Sequence, residues 1–290
     1  MGDREYIITG GYCHPPSDPA SSTHARSRFK GKSIIVTGGA GNFGKACALR
    51  MASEGAKVAL FDLVDPSKAK EEIQASNPGC TVLGVQCDVT KNDEVERAVA
   101  SVKEAFGRVD YLFNNAGYQG AFRPLPDYPP DDFRRVLDIN VSGVFHVLRA
   151  VSNVMKSQEP QGGSIVQTAS MAAHSGPPNM VAYGSSKAAV HHMTRIAAKD
   201  LAPHDIRVNS VSPAFTGPGF MWTRQVELQA EAGSIHYDKD PKVVAQQMIG
   251  STPLRRYGSV DEVIGPVTFL LSDDASYLTG IDIQVTGGMN

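Results

Sequence analysis

In this 290-residue chain a tyrosine and a lysine four positions apart carry the sharpest chemical signal. Tyr183-Gly184-Ser185-Ser186-Lys187 sets both side chains on one face of a helix, one turn apart. A phenol with its ordinary pKa of about 10 is a poor base at neutral pH. A cation held beside it favours the phenolate and is expected to lower that pKa. Ser170, just after the apolar run SIVQTA, offers a hydroxyl that can be aimed at the same substrate oxygen. This chemistry suits proton exchange at an alcohol or carbonyl oxygen, the companion of hydride transfer.

A second signal lies near the start of the chain, where Thr37–Ala46 reads TGGAGNFGKA. Gly39–Lys45 fits the triphosphate-loop pattern G-x-x-x-x-G-K, while the same letters, started one residue earlier, resemble the glycine turn of a dinucleotide-binding domain. Position 46 is alanine, so the hydroxyl that would hold magnesium is missing. Asp62 closes the next apolar run, VALFD, 18 residues after Gly44. A dinucleotide fold places a ribose-binding acid there. Glycines let helix-terminal N–H groups approach a pyrophosphate where a Cβ would intervene. The loop therefore reads as dinucleotide-binding.

These residues must be positioned by regular elements, and from Lys32 onward the chain alternates accordingly. Seven short β-branched runs (SIIVT, KVALFD, TVLGVQCD, DYLFNNA, SIVQTAS, IRVNSVS, DIQVTGG) alternate with longer stretches, several of helical period, such as Asn92–Phe106, Asp131–Met155 and Val181–Leu201. The runs are almost continuously apolar, as parallel strands covered on both faces should be. The expected fold is α/β: one doubly wound, Rossmann-type domain, a seven-stranded parallel sheet with helices on both faces. It spans 31–290, with a strandless insertion at about 214–257 that reads as a substrate cover. Residues 1–30, rich in Pro, Ser and His, read as a flexible arm. Ile7–Gly11 echoes the glycine turn, but Pro15 and Pro16 bar the helix that should follow.

Composition is ordinary, with 41% apolar residues and a net charge of -2, so neither nucleic acid nor anionic lipid is favoured as a partner. No apolar run approaches membrane-spanning length, no secretory signal is recognisable, and the cytoplasm is the expected address. Cys13, Cys47, Cys80 and Cys87 contain no C-x-x-C pair and read as reduced thiols. His191 and His192 lie on the Tyr183 helix without recognisable metal spacing, so no metal is expected. There is no G-x-S-x-G elbow to support serine hydrolysis.

Taken in order, the motifs resemble the short-chain dehydrogenase/reductase family over residues 32–290. The likeness rests on TGGAGNFG, Cys87-Asp88-Val89, NNAG at Asn114–Gly117, Asn140, the Ser170…Tyr183-x-x-x-Lys187 set and SPAF at Ser212–Phe215. It implies that Tyr183 exchanges a proton with the substrate oxygen and Ser170 hydrogen-bonds that oxygen. Lys187 would bind the nicotinamide ribose, and Asn140 would hold a water in a proton relay. Gly38, Asn42, Phe43, Gly44, Asp62, Asp88, Val89, Asn114, Ala116, Gly117, Pro213, Phe215 and Thr216 would line the cofactor, with Asp88 at the adenine amino group. Three positions depart from the family pattern. Asn42 replaces a glycine, a residue that tolerates a left-handed backbone if the turn demands one. Ala214 follows Pro213 where glycine is usual, and Pro218 stands where a threonine commonly meets the carboxamide. The family further implies a homo-oligomer, most often a tetramer.

Asp62 favours NAD over NADP, because a carboxylate accepts ribose hydroxyls and repels a 2′-phosphate. Lys45 is the nearby basic residue that would argue the other way. His174, Met180, Phe220 and Trp222, with Tyr118, Phe215 and Met221, are the candidate substrate contacts. They point to a secondary alcohol or ketone with a cyclic or apolar body, a sugar or polyol being the alternative. A rival from another class is a non-catalytic dinucleotide-binding regulator. The joint presence of Asn140, Ser170, Tyr183 and Lys187 argues against it.

Overall fold

The computed structural model describes residues 28–289; the arm expected at 1–30 and the echo at Ile7–Gly11 fall largely or wholly outside them. Arg28–Lys30, assigned to that arm from sequence, belong to the folded body. Phe29 is fully buried edge-on against Tyr111, with ring centroids 5.3 Å apart, and Arg28 pairs with the buried Glu54. An aromatic ring placed so deep closes the core beneath the first strand.

Seven strands form one parallel sheet in the order β3-β2-β1-β4-β5-β6-β7. They are β1 (Ser33–Thr37), β2 (Lys57–Asp62), β3 (Val82–Gln86), β4 (Tyr111–Asn114), β5 (Gly163–Thr168), β6 (Ile206–Pro213) and β7 (Asp282–Val285). The order reverses beside β1, which pairs with β2 on one side and β4 on the other. That is the switch point at which open α/β sheets leave a crevice beyond their carboxyl ends. Each expected strand is present. Successive residues of β1 serve two cores: Ile34 and Val36 join one buried cluster, and Ile35 joins the other. Burial on both faces is why these runs are apolar without alternation.

One face is covered by α1 (Asn42–Ser53), α2 (Ser67–Ser76) and α10 (Val260–Leu271); the other by α3 (Asn92–Phe106), α5 (Val144–Ser157) and α7 (Val181–Leu201). In α3, Val95, Ala98, Val99, Val102 and Phe106 form the buried stripe. Asp93 and Glu94 occupy its first turn, and Gly107 ends it in a left-handed conformation. Helix α10 begins with a capping box in which Ser259 and Glu262 satisfy each other's backbone N–H groups.

The segment 131–155, which reads as one periodic helix, is interrupted. α4 (Pro130–Leu137) passes through a π-helical turn at Asp138–Gly143 into α5. Such a turn widens the backbone ladder by one residue and is common at functional sites. The 214–257 interval holds α8 (Phe220–Glu231) and α9 (Pro241–Ser251), which build a small core of their own from Trp222, Val226, Val244, Ala245 and Met248. Its only β contact among the described residues is the isolated Thr216–Gly258 bridge. The short α6 (Ala172–Ser175) lies between β5 and α7.

Candidate active site

A cavity of about 1240 Å³ runs along the carboxyl ends of the strands, from the glycine turn and Asp62 to Ser170, Tyr183 and Lys187. At the turn, Gly38 has a positive φ of 63°, which a side chain would strain. A Cβ on Gly44 would overlap the Gly38 carbonyl oxygen, so only glycine lets α1 seat this closely on β1. Gly44 is thus a packing residue beneath the turn, while Gly38, Asn42 and Phe43 line the cavity. Asn42 departs from expectation. It is the first residue of α1, Gly41 before it has an extended backbone, and the turn makes no left-handed demand on position 42.

Asp62 lines the cavity at the end of β2. Its Oδ2 accepts the Ala40 N–H at 2.9 Å and its Oδ1 accepts that of Val64 at 3.2 Å, which fixes the carboxylate against the glycine turn. Lys45 does not line the cavity; its ammonium donates to Glu72 at 2.8 Å. Asp88 and Val89 line it, with Asp88 Oδ1 accepting from the Thr90 amide and hydroxyl. Behind them Thr37, a residue that motif reading passed over, fixes the Asn114–Gly117 loop. Its hydroxyl accepts the N–H groups of Asn115 and Ala116 at 2.8 and 2.9 Å. Asn114 itself is buried and bridges Thr37 and the Val144 carbonyl; it supports the wall without lining it. Ala116, Gly117, Pro213, Phe215 and Thr216 complete this side, as does Pro218.

At the other end Lys187 is buried, and its Nζ donates to the Thr168 carbonyl at 2.7 Å, 5.7 Å from the centre of the Tyr183 ring. Burial lowers the lysine pKa to about 8. Burial also raises the Tyr183 phenol above its ordinary value, and the hydrogen bond with Ser170 pulls in the opposite direction. This reverses the sequence expectation of a lowered phenol pKa. In the protein alone the loss of water on burial is the larger effect.

Asn140 sits on the π-helical turn with no exposed surface. Its Oδ1 accepts the Tyr118 N–H, and its Nδ2 donates to the Tyr118 carbonyl and to Ser186 Oγ, all at 2.8–2.9 Å. Since Ser186 belongs to α7, Asn140 ties the Tyr118 loop to the helix that carries Tyr183 and Lys187. Both polar atoms of its side chain are thus engaged within the protein.

The glycine turn, the Asp62 carboxylate beside it, and a serine, tyrosine and lysine gathered at one cavity end are joined by similarity along the whole body. A family model described as enoyl-(acyl carrier protein) reductase matches residues 38–290. Levodione reductase of Leifsonia aquatica is 34% identical over 91% of this chain and 96% of its own length.

The protein is a short-chain dehydrogenase/reductase.

Membership makes it an oxidoreductase of alcohols and ketones that uses a nicotinamide cofactor. Among solved structures, an NAD+-bound xylitol dehydrogenase is 55% identical, with a TM-score of 0.86, covering 90% of this chain and 99% of that one. A 3alpha-hydroxysteroid dehydrogenase of Mediterraneibacter gnavus is 33% identical over 89% of this chain and 97% of its own. Within the described residues no helix is long and apolar enough to cross a membrane.

On the substrate side this family member brings Met180 and Trp222, with Tyr118, Phe215 and Met221, to the cavity but not His174 or Phe220. Phe220 is 71% exposed, because only the α8 face holding Trp222 and Val226 packs inward. His174 turns away to the sheet edge, where its Nε2 meets Asp282 at 3.1 Å and Ser212 at 3.3 Å. Sequence reasoning missed Gln119, whose buried Oε1 has no protein partner; the buried Trp222 Nε1 has none either. Both residues line the cavity. Gln119 follows the NNAG motif by only two positions, so loop proximity was the available signal.

Proposed function

We propose that this enzyme is an NAD-dependent dehydrogenase of polyhydroxylated secondary alcohols, interconverting a polyol or sugar alcohol with its ketose. The observation that carries the reaction is the gathering of Ser170, Tyr183 and Lys187 at the end of a cavity that begins at Asp62. The residues fit a dinucleotide. A side chain at Gly44 would push α1 off the glycine turn that shapes the cradle, the Asp62 carboxylate is fixed beside the turn, and two of the three Lys187 N–H donors have no protein acceptor. Gly38 and the start of α1 would receive the pyrophosphate. Asp62 would receive the adenosine ribose hydroxyls and Lys187 the nicotinamide ribose. Bound nicotinamide supplies the two-electron acceptor for the carbinol hydrogen.

Tyr183 Oη would take the hydroxyl proton as the carbonyl forms, and Ser170 would hold the same oxygen in line. Lys187, charged below about pH 8, would stabilise the phenolate once formed. Asn140 keeps the Tyr118 loop and α7 in register and so fixes where the substrate oxygen can sit.

For the substrate, the unpaired Gln119 Oε1 and Trp222 Nε1 support a hydroxylated chain. A buried acceptor and donor left without partners cost about 1–3 kcal/mol each, a cost that would be relieved if each side chain turned its polar atom towards the cavity and a substrate hydroxyl. The 55% identity to a xylitol dehydrogenase favours the same reading. A cyclic ketone is the second reading, supported by the apolar Met171, Met180 and Met221 on the lining and by the likeness to levodione reductase.

The test is formation of reduced nicotinamide, followed by absorbance, over a panel of pentitols, hexitols, cyclic alcohols and steroid alcohols. Turnover should be highest with polyols and fall by about 10³-fold in Tyr183→Phe. Gln119→Leu should raise KM for polyols about tenfold while leaving NADH affinity unchanged. A clear preference for cyclic alcohols would overturn the polyol assignment. Cofactor binding without turnover on any alcohol would favour the regulatory module.

A further inference from the structure

His174, His191 and Asp282 are far apart in sequence, but the fold places one potential ligand atom from each within 4.8 Å of the others. None of the three lines the cavity. His174 comes from α6, four residues after Ser170. His191 lies on α7, one turn beyond Lys187, and Asp282 opens the edge strand β7. The two imidazoles are 4.7 Å apart between ring centres and inclined at 57°. His174 Nε2 and Asp282 Oδ2 are 3.1 Å apart. Two ligand atoms about 2 Å from one ion stand roughly 3 Å from each other at tetrahedral or octahedral angles.

The carboxylate is also held from behind. Asp282 Oδ1 accepts from Ser210 Oγ at 2.6 Å and Ser212 Oγ at 2.9 Å, and the side chain is 7% exposed. Fixing one oxygen of a carboxylate leaves the other aimed in one direction, as supporting hydrogen bonds do around metal ligands. Ordinary sequence spacing gave no hint, since the ligands are 17 and 91 positions apart.

We propose that His174, His191 and Asp282 form a site for a first-row divalent transition ion such as Zn²⁺ or Co²⁺, which clamps α6 and α7 onto β7. Two imidazoles and a carboxylate suit such an ion better than Mg²⁺ or Ca²⁺, which favour all-oxygen shells. Three protein ligands leave a coordination position for water. The ion would bind away from the reacting atoms and brace the elements that carry Ser170, Tyr183 and Lys187. Its role is therefore in positioning and stability.

The full-length chain, without an affinity tag and stripped with chelator, is titrated with Co²⁺ and followed by its visible absorption; Zn²⁺ is titrated calorimetrically. The expected result is one saturable site per chain, with the melting temperature raised by about 5 °C at 100-fold excess over Kd. His191→Gln should weaken binding by at least about 100-fold while leaving metal-free turnover unchanged. Asp282→Asn, which keeps an acceptor for the two serines, should do the same for binding and serves if His191→Gln does not fold. The proposal is overturned if no saturable binding occurs. It is equally overturned if the site survives in these variants, since the ion would then be held elsewhere.

Discussion

Lys187→Met should make this protein more stable near neutral pH while removing its activity. The wild-type ammonium is buried, with one hydrogen bond from Nζ to the Thr168 carbonyl, and burial lowers its pKa from 10.5 to about 8. Between these values the unfolded chain binds more protons than the folded one, so stability rises with pH across the window from about 8 to 10.5. Below about pH 8 the full cost is present, roughly 3 kcal/mol for a shift of this size at 1.36 kcal/mol per unit. Methionine removes that cost and nearly fills the volume. It also strands the Thr168 carbonyl, which costs about 1–3 kcal/mol in return.

The net expectation for the cofactor-free protein at about pH 7 is a gain of up to roughly 2 kcal/mol, or up to about 8 °C in Tm. By about pH 9.5 the wild-type lysine has shed most of its charge, its cost has fallen to roughly 1 kcal/mol, and the variant's advantage should be gone. Urea unfolding of both proteins at fixed concentration, at the two pH values, measures the difference directly. A variant less stable than wild type at the lower pH, or a difference that does not move with pH, would refute the claim that Lys187 is an ion kept at a cost to the fold.

Two further outcomes follow from side chains already placed. Asp62→Asn keeps an acceptor for the Ala40 N–H but removes the charge, so kcat/KM with NAD should fall about 10–100-fold while that with NADP rises. The reasoning fails if wild type already uses NADP more efficiently. Glu262, held at about 2 by a two-pronged bond from Arg256 and by the Ser259 amide, anchors the return from the α8–α9 cover to α10. Glu262→Gln should cost about 1 kcal/mol after solvent screening. Because the folded pKa is depressed, the cost is full above the ordinary 4.5 and shrinks as pH falls towards about 2. A pH-independent difference between the two proteins in denaturant unfolding would discard the ion pair as its source.

The sheet was legible because each strand is apolar on both faces, and α3 because its buried stripe repeats at helical spacing between an acidic start and Gly107. The Tyr183–Lys187 pair was legible because a four-residue spacing fixes a helical face whatever surrounds it. What the sequence hid depends on depth and direction. Nothing in DINVSG marks a π-helical turn off from the α-helix on either side. Phe220 and Trp222 are equally aromatic, yet their two-residue separation on a helix sends them to different faces. The Tyr183 pKa was misjudged because a neighbouring cation is visible in sequence and desolvation is not.

Departures from ordinary protein design gather at the cavity. The buried Lys187, the buried Gln119 Oε1 and Trp222 Nε1, and the π-helical turn holding Asn140 each line it or support its wall. Of the three buried unpaired side-chain atoms among the described residues, only Gln167 Oε1 lies elsewhere, and the Nε2 of that residue is satisfied by Thr194. A fold selected for stability alone would fill these positions with apolar groups or pair them internally. Concentrating unpaired donors, acceptors and a costly ammonium around one cavity is explained when ligand atoms complete the pairing. Asp62, Lys187 and the glycine turn would be completed by the dinucleotide, and Gln119 and Trp222 by substrate hydroxyls. The same logic separates the His174–His191–Asp282 cluster from this set: it lies outside the cavity, and its polar atoms already hold one another, so a dinucleotide should leave its metal affinity unaltered.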